Sequence, residues 1–238
     1  MIGIIDVHCH ILPEIDDGAK NLEESKRMLE MAYAEGVRTI IATPHYRRRM
    51  FWYSTEEVEE QYNKLQEVAA EVGDGLRLLL GCEYHVDLDI IERLNSGECY
   101  RLAGTRYVLA EFSSIANYSF VRERIHALVS NGYTPVIAHV ERCVVLQVNQ
   151  IKELVELGAL IQLNADSILG KNGYKMKRFC QKMMKEDLLN FVGTDAHGIT
   201  ERPPRIAKCA AYIEKKMGRD YAQRIFIDNP SEMLKMDE

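Results

Sequence analysis

Short apolar runs of strand character recur along this chain, and nearly every one ends in a histidine or an acid. His8 and His10 close the run at 2–7, His45 follows 37–42, and Glu83 follows 76–80. Glu111 follows 107–110, His139 follows 134–138, and Asp195 with His197 follows 189–192; after the run at 159–163 no candidate is singled out. Ligand-type side chains at successive strand ends point to groups converging from several strands on one centre.

Between the runs lie helix signals. Asn21 can cap a helix opening LEESK, with Glu24 as capping-box partner, and Gly36 ends it. Ser54 or Thr55 can cap a second helix reaching Val72, its acids favouring the first turn. Further helices are predicted near 119–130, 148–157, 174–185 and 204–217. Strands alternating with helices favour an α/β barrel over an antiparallel sandwich. The competing architecture is an open doubly wound sheet. A barrel gathers all its C-terminal strand ends around one centre, whereas an open sheet concentrates a site at its switch point. Ligand-type residues after nearly every strand therefore favour the barrel. The loop at 47–55 and the stretch at 167–173 read as rim insertions, so residues 1–238 are expected to form a single domain.

Bulk properties exclude some functions. A formal charge of -6 with both signs interspersed argues against a nucleic-acid-binding face. No apolar run approaches the roughly 20 residues needed to span a bilayer, and the N-terminus lacks a secretory pattern. Six dispersed cysteines in a chain too large to need staples suggest reduced thiols in a cytoplasmic protein. A cysteine phosphatase needs C-x5-R, but the sixth residues after the cysteines are Ile15, Leu88, Thr105, Asn149, Glu186 and Lys215. No P-loop pattern occurs either.

His8 and His10, two apart in an extended run, direct both rings to one side. Asp195 and His197 repeat that pairing near the other end. Glu83 and Glu111 can offset and bridge divalent charge, and His45 and His139 complete a mixed nitrogen and oxygen shell. Asp16 and Asp17 each offer a further oxygen, the bland reading being a turn before Gly18. His85, in a charged loop, and His126, on a helix, are less persuasive ligands.

The segments DVHCHILPEIDDG, TPHYR, GCEYH, LAEF, VIAHVERC, GTDAHG, RPP and FIDNP occur in order along almost the whole chain. In this the chain resembles the PHP (polymerase and histidinol phosphatase) superfamily, and within it the bacterial tyrosine-protein phosphatases of capsular and exopolysaccharide operons. The resemblance implies a distorted TIM-like barrel of about seven strands and three divalent ions, Mn2+ foremost, with Fe, Zn, Mg or Co as substitutes. Carried over, it assigns His8, His10, Glu83 and Asp195 to one ion. Glu83 would bridge to a second completed by Glu111 and His139, and Asp17, His45 and His197 would serve the third. Some relatives use histidine near the Asp17 position, and the register between Asp16 and Asp17 stays open.

Clustered ions lower the pKa of a bound water and neutralise phosphoryl oxygens, so hydroxide attack on phosphorus in line is the expected chemistry. Arg142 and Arg202 are candidate phosphate contacts, and His45 or His197 a candidate proton donor. Arg47, Arg48 and Arg49, followed by Met50, Phe51, Trp52 and Tyr53, make a basic loop tipped with aromatics, suited to a tyrosine ring or to an oligomer contact. The implied substrate is a bacterial tyrosine kinase phosphorylated on a tyrosine-rich tail, which would recruit the enzyme to the inner face of the membrane without insertion. Histidinol phosphate or another small phosphoester is the alternative substrate. A non-catalytic phosphotyrosine-binding protein is the alternative class.

Overall fold

The computed structural model describes residues 1–235. Nine short strands, each paired in parallel, lie among its helices: β1 (Ile4–Cys9), β2 (Val37–Ala42), β3 (His45–Tyr46), β4 (Arg77–Leu80), β5 (Glu83–His85), β6 (Tyr107–Glu111), β7 (Thr134–Ile137), β8 (Leu160–Asn164) and β9 (Phe191–Gly193). They pair as β1-β2-β4 and as β3-β5-β6-β7-β8-β9.

The two sheets are one barrel broken at its joints. The chain steps from β2 into β3 across Thr43-Pro44, and from β4 into β5 across Gly81-Cys82. Proline has no N–H to donate, so the ladder lapses there. The opposite seam is sewn by the backbone, where Asp195 N–H donates to the His8 carbonyl at 2.8 Å and His10 N–H to that of Ala196 at 2.9 Å. Counting β2 with β3 and β4 with β5, the barrel has seven strand tracks. The expected distorted barrel is what forms.

Its interior shows the period-2 alternation of a strand with two different faces. Ile5, Val7, Ile41, Leu109, Val136, Ala138 and Phe191 cluster inside, while Ile4, Ile40, Ala42, Val108, Ala110, Ile137 and Val192 belong to the outer layer that packs on the helices. Leu102, from the turn Leu102–Gly104, and Met233, from the C-terminal helix Asn229–Lys235, join the interior cluster and close its floor.

Local details depart from the sequence reading for identifiable reasons. β1 begins at Ile4, because Gly3 holds a left-handed φ of 91°. Asn21 caps Leu22–Ala34 by accepting from Glu24 N–H, but the Glu24 carboxylate accepts from Lys20 N–H at 3.0 Å, so no reciprocal box forms. Ser54 and Glu57 do form one. The helix predicted from 204 starts at Ala207, its first N–H groups taken by the Glu35 carboxylate. Residues 167–173 are not a mere rim insertion: the short helix Ala165–Leu169 buries Ser167 and Ile168 and ends at Gly170. Ile90–Ser96 and the segments after Gly218 were not anticipated as helical. Among the described residues, no helix is long and apolar enough to cross a membrane.

Candidate metal centre

At the C-terminal mouth the inward positions change from apolar to ligating. In β2 and β3 the phase that points Ile41 inward leads through Thr43 to His45, and in β6 it leads from Leu109 to Glu111. β1 cannot follow this rule, since Ile5 and Val7 already occupy the inward phase. A bulge resolves the conflict: Asp6 pairs with Ile40 and Cys9 with Ala42, three steps on β1 against two on β2. The extra residue inverts the phase and turns His8 and His10 inward. His139 enters by another device, a backbone at φ 29° just after Ala138, and Asp195 has φ 52°. Gly193 leaves room for the result, because a Cβ there would stand 2.5 Å from His8 Cβ.

The nine candidate ligands come together. His8 Nε2 lies 3.1 Å from His10 Nε2, and each of these nitrogens is 3.2–3.5 Å from Glu83 Oε2 and Asp195 Oδ1. Four ligands at about 2.1 Å from one tetrahedral ion would stand roughly 3.4 Å apart, so these side chains fit such an ion. On one side, Asp17 Oδ1 faces His45 Nε2 at 3.7 Å and His197 Nε2 at 3.5 Å. On the other, His139 Nε2 lies 2.6 Å from Glu83 Oε1 and 3.9 Å from Glu111 Oε1. His45 also presents Nδ1 to Glu83 Oε2 at 3.0 Å and groups with Glu83 and Glu111, so it straddles two ligand sets. The buried atoms Glu83 Oε2, His45 Nδ1 and His197 Nε2 have no hydrogen-bond partner among the described residues, as expected of donors facing a cation.

Asp16 and Asp17 separate cleanly. Asp17 faces the cluster, whereas the Asp16 carboxylate meets His10 Nδ1 at 2.7 Å and accepts the His45 and Gly18 N–H groups. Asp16 thereby orients His10 from behind. The sequence reading passed over other groups that do similar work. Gln162 Oε1 accepts His139 N–H at 2.7 Å and lies 3.2 Å from His8 Nδ1, and its amide donates to Asn164. Asn164 in turn donates to Asp195 Oδ2 at 2.7 Å. Their signal was two amides alternating with apolar residues in the buried run LIQLN. His85 stays outside the ligand groups, but it lies in β5 and not in a loop, and its Nδ1 is 2.8 Å from Glu111 Oε2. His126 lines only an outer hollow.

Mutual electrostatics favour the charged carboxylates Glu83, Asp195 and Asp17. Burial pushes the Glu83 carboxyl upward, but the His8 and His139 rings overcome it and keep its pKa well below the carboxylate range. Asp195 behaves likewise, with His8, His10 and Arg142 opposing burial. The His197 ring, 3.5 Å away, brings Asp17 down to about 2. Burial disfavours charging His10, yet Asp16, Asp195 and Glu83 raise its pKa. Behind the site, burial lifts Asp6 to about 6 although Thr194 donates to it twice.

Arg142 and Arg202 converge on Asp195 Oδ2, their Nη2 atoms 2.8 and 2.5 Å away. A hollow of about 310 Å³ lined by Asp17, His197 and Arg202 opens beside them. A hollow of about 380 Å³ among the outer helices near Lys185 carries no comparable donor set. The six cysteines are buried and unpaired, and burial pushes Cys143 to about 12.

A parallel barrel with overlapping carboxylate and imidazole groups at its mouth is the architecture of a metal-dependent hydrolase. The family model for capsular polysaccharide synthesis, CpsB/CapC, matches residues 4–235, and the chain belongs to that family. It is 36% identical to the tyrosine-protein phosphatase CpsB of Streptococcus pneumoniae, over 99% of both chains. It is 32% identical to the tyrosine-protein phosphatase YwqE of Bacillus subtilis, over 91% of this chain and 86% of that one. A solved structure from the study of YwqE and CpsB as metal-dependent tyrosine phosphatases superposes with a TM-score of 0.89 at 30% identity, covering 98% of this chain and 94% of the other. A phosphotriesterase homology protein of Escherichia coli shares the fold, with a TM-score of 0.66 at 12% identity over 98% and 99% of the two chains.

Proposed function

We propose that this chain is a metal-dependent protein-tyrosine phosphatase acting on a phosphorylated tyrosine kinase of bacterial polysaccharide synthesis. The observation that carries this reading is the overlap of three ligand groups through His10, His45 and Glu83, with two arginines beside Asp195. His8, His10, Glu83 and Asp195 would hold one divalent ion, Glu83, Glu111 and His139 a second, and Asp17, His45 and His197 a third, with Mn2+ as the preferred metal. Such ions supply Lewis-acid activation of water and neutralise phosphoryl oxygens.

The remaining work falls to side chains. A guanidinium carries five N–H donors, so Arg142 and Arg202 keep donors for a phosphoryl oxygen after engaging Asp195. Asp16, Gln162 and Asn164 hold His10, His139 and Asp195 in place. His45 or His197 is suited to hand a proton to the leaving oxygen, a lesser demand for a phenolate than for an alkoxide. Family membership favours a protein tyrosine over a small phosphoester as substrate. The partner would be the kinase's tyrosine-rich tail at the inner face of the membrane.

The test is hydrolysis of a phosphotyrosine peptide and of histidinol phosphate by metal-stripped protein, before and after Mn2+ is added. Peptide turnover that returns with metal upholds the reading. Preference for histidinol phosphate overturns the substrate, and peptide binding without turnover would leave a phosphotyrosine-binding protein.

A further inference from the structure

The loop after His45 is built as a hydrogen-bonded turn with unusual contents. Arg47 and Phe51 exchange backbone hydrogen bonds of 3.1 and 2.9 Å, Met50 N–H donates to the Arg47 carbonyl, and Arg49 takes a left-handed φ of 71°. The turn is fastened at both ends. Arg48 bonds the Asp89 carboxylate at 3.3 Å, and the buried Tyr53 hydroxyl donates to the Pro44 carbonyl at 3.2 Å. Behind it, Tyr53 packs edge-on against Tyr46, which stacks on Tyr84.

On this frame Phe51 lies nearly parallel to the His45 ring, with centroids 5.3 Å apart and planes 8° apart. Phe51 is only half buried, and its neighbours Met50 and Trp52 are 60% and 65% exposed. A turn this well anchored has no folding need to hold two large apolar side chains in water. Their place next to a ligand candidate at the mouth, on a segment carrying three arginines, suits an occupant that is both aromatic and anionic.

We infer that the turn Arg47–Tyr53 is the ring-recognition element of the site: Phe51 packs against the phosphotyrosyl ring, and Trp52 and Met50 cover the adjoining peptide. This rests on the phosphatase reading and adds the groups that would select aryl over alkyl phosphates. An offset or edge-to-face aromatic contact, together with buried ring area, supplies that discrimination. Phe51 acts on binding and leaves the chemistry to the ligand cluster.

Trp52 is the chain's single tryptophan, so its emission reports on the turn without labelling. Titrating a phosphotyrosine peptide into the Mn2+-loaded protein should shift or quench that emission at concentrations where inorganic phosphate and the matching phosphoserine peptide do not. In Phe51→Ala, the ratio of kcat/KM for the phosphotyrosine peptide to that for the phosphoserine peptide should fall about tenfold, mostly through KM, with Phe51→Tyr restoring it. An unchanged ratio, or an emission response equal for inorganic phosphate, overturns the inference. So does a dimer lost in Trp52→Ala with selectivity intact, which would make the turn a contact between copies. If the wild type fails to hydrolyse phosphotyrosine, the phosphatase reading falls, while a selective emission response would still uphold the ring site.

Discussion

The floor of the barrel and its mouth are built by the same strands and obey opposite rules. At the floor, Ile5, Leu109, Val136 and Phe191 are buried against one another, closed in by Leu102 and Met233. At the mouth, equally buried positions hold His8, His10, Glu83 and Asp195, none more than 1% exposed. Apolar burial stabilises the fold directly, whereas burying charges costs free energy unless each finds a partner. The lower half therefore holds the barrel together, and the upper half is tolerated because its charges oppose one another. Stability and chemistry are separated by depth along each strand.

Mutations placed by depth can break that separation. The largest effect is expected at the mouth, where Glu83→Ala should lower kcat/KM on phosphotyrosine peptide by more than about 100-fold, beyond the usual cost of losing an outer-shell partner. Circular dichroism should find it folded, and collapse of the fold instead would mean that Glu83 holds the barrel. At the floor, Phe191→Ala should cost about 3–5 kcal/mol in denaturant unfolding with kcat of the folded enzyme little changed. A kcat loss matching that of Glu83→Ala would erase the division.

Smaller effects probe the boundary between the two. Gly193→Ala forces a methyl against His8 Cβ, so metal affinity by calorimetry should fall about 10–100-fold, as it does when a ligand's supporting shell is disturbed. The smallest effect is expected from iodoacetamide. Burial raises Cys143 to about 12 and lifts Cys9 as well, so the neutral thiols persist until far above physiological pH. Alkylation at pH 7.5, followed by mass spectrometry, should be slow and activity should change less than about twofold, because only the thiolate is nucleophilic. Rapid inactivation would return a cysteine to the mechanism.

How much of this was legible follows the same division. Strand positions showed in apolar runs such as 37–42, because buried parallel strands read as continuous hydrophobic stretches. The ligand candidates showed because histidines and acids stand out at the ends of such runs. The means of turning them inward did not. Nothing in IIDVHC marks the residue that bulges, since a register shift belongs to the pairing with β2 and not to β1 alone. His139 likewise owes its direction to a positive φ that its residue type does not announce. Asp16 and Asp17 could not be told apart while the turn that sends one toward His10 and the other toward His197 was unknown. The short strands β3 and β5 were missed for being two and three residues long, and they hold His45, Glu83 and His85.

The bulge in β1 has a genetic corollary. Substitutions test one side chain at a time, but removing one codon between Asp6 and Cys9 would restore an even register with β2. Without Val7, Cys9 would still face Ala42, and Ile5, His8 and His10 would run in one unbroken inward phase, so the ligand candidates would keep their side. Each remaining amino acid would be ordinary for a buried strand, and the reading frame would be intact. In a library of single-residue deletions, loss of Val7 should therefore be better tolerated for activity than loss of Val108 from the unbulged β6, which would turn Glu111 away from the mouth.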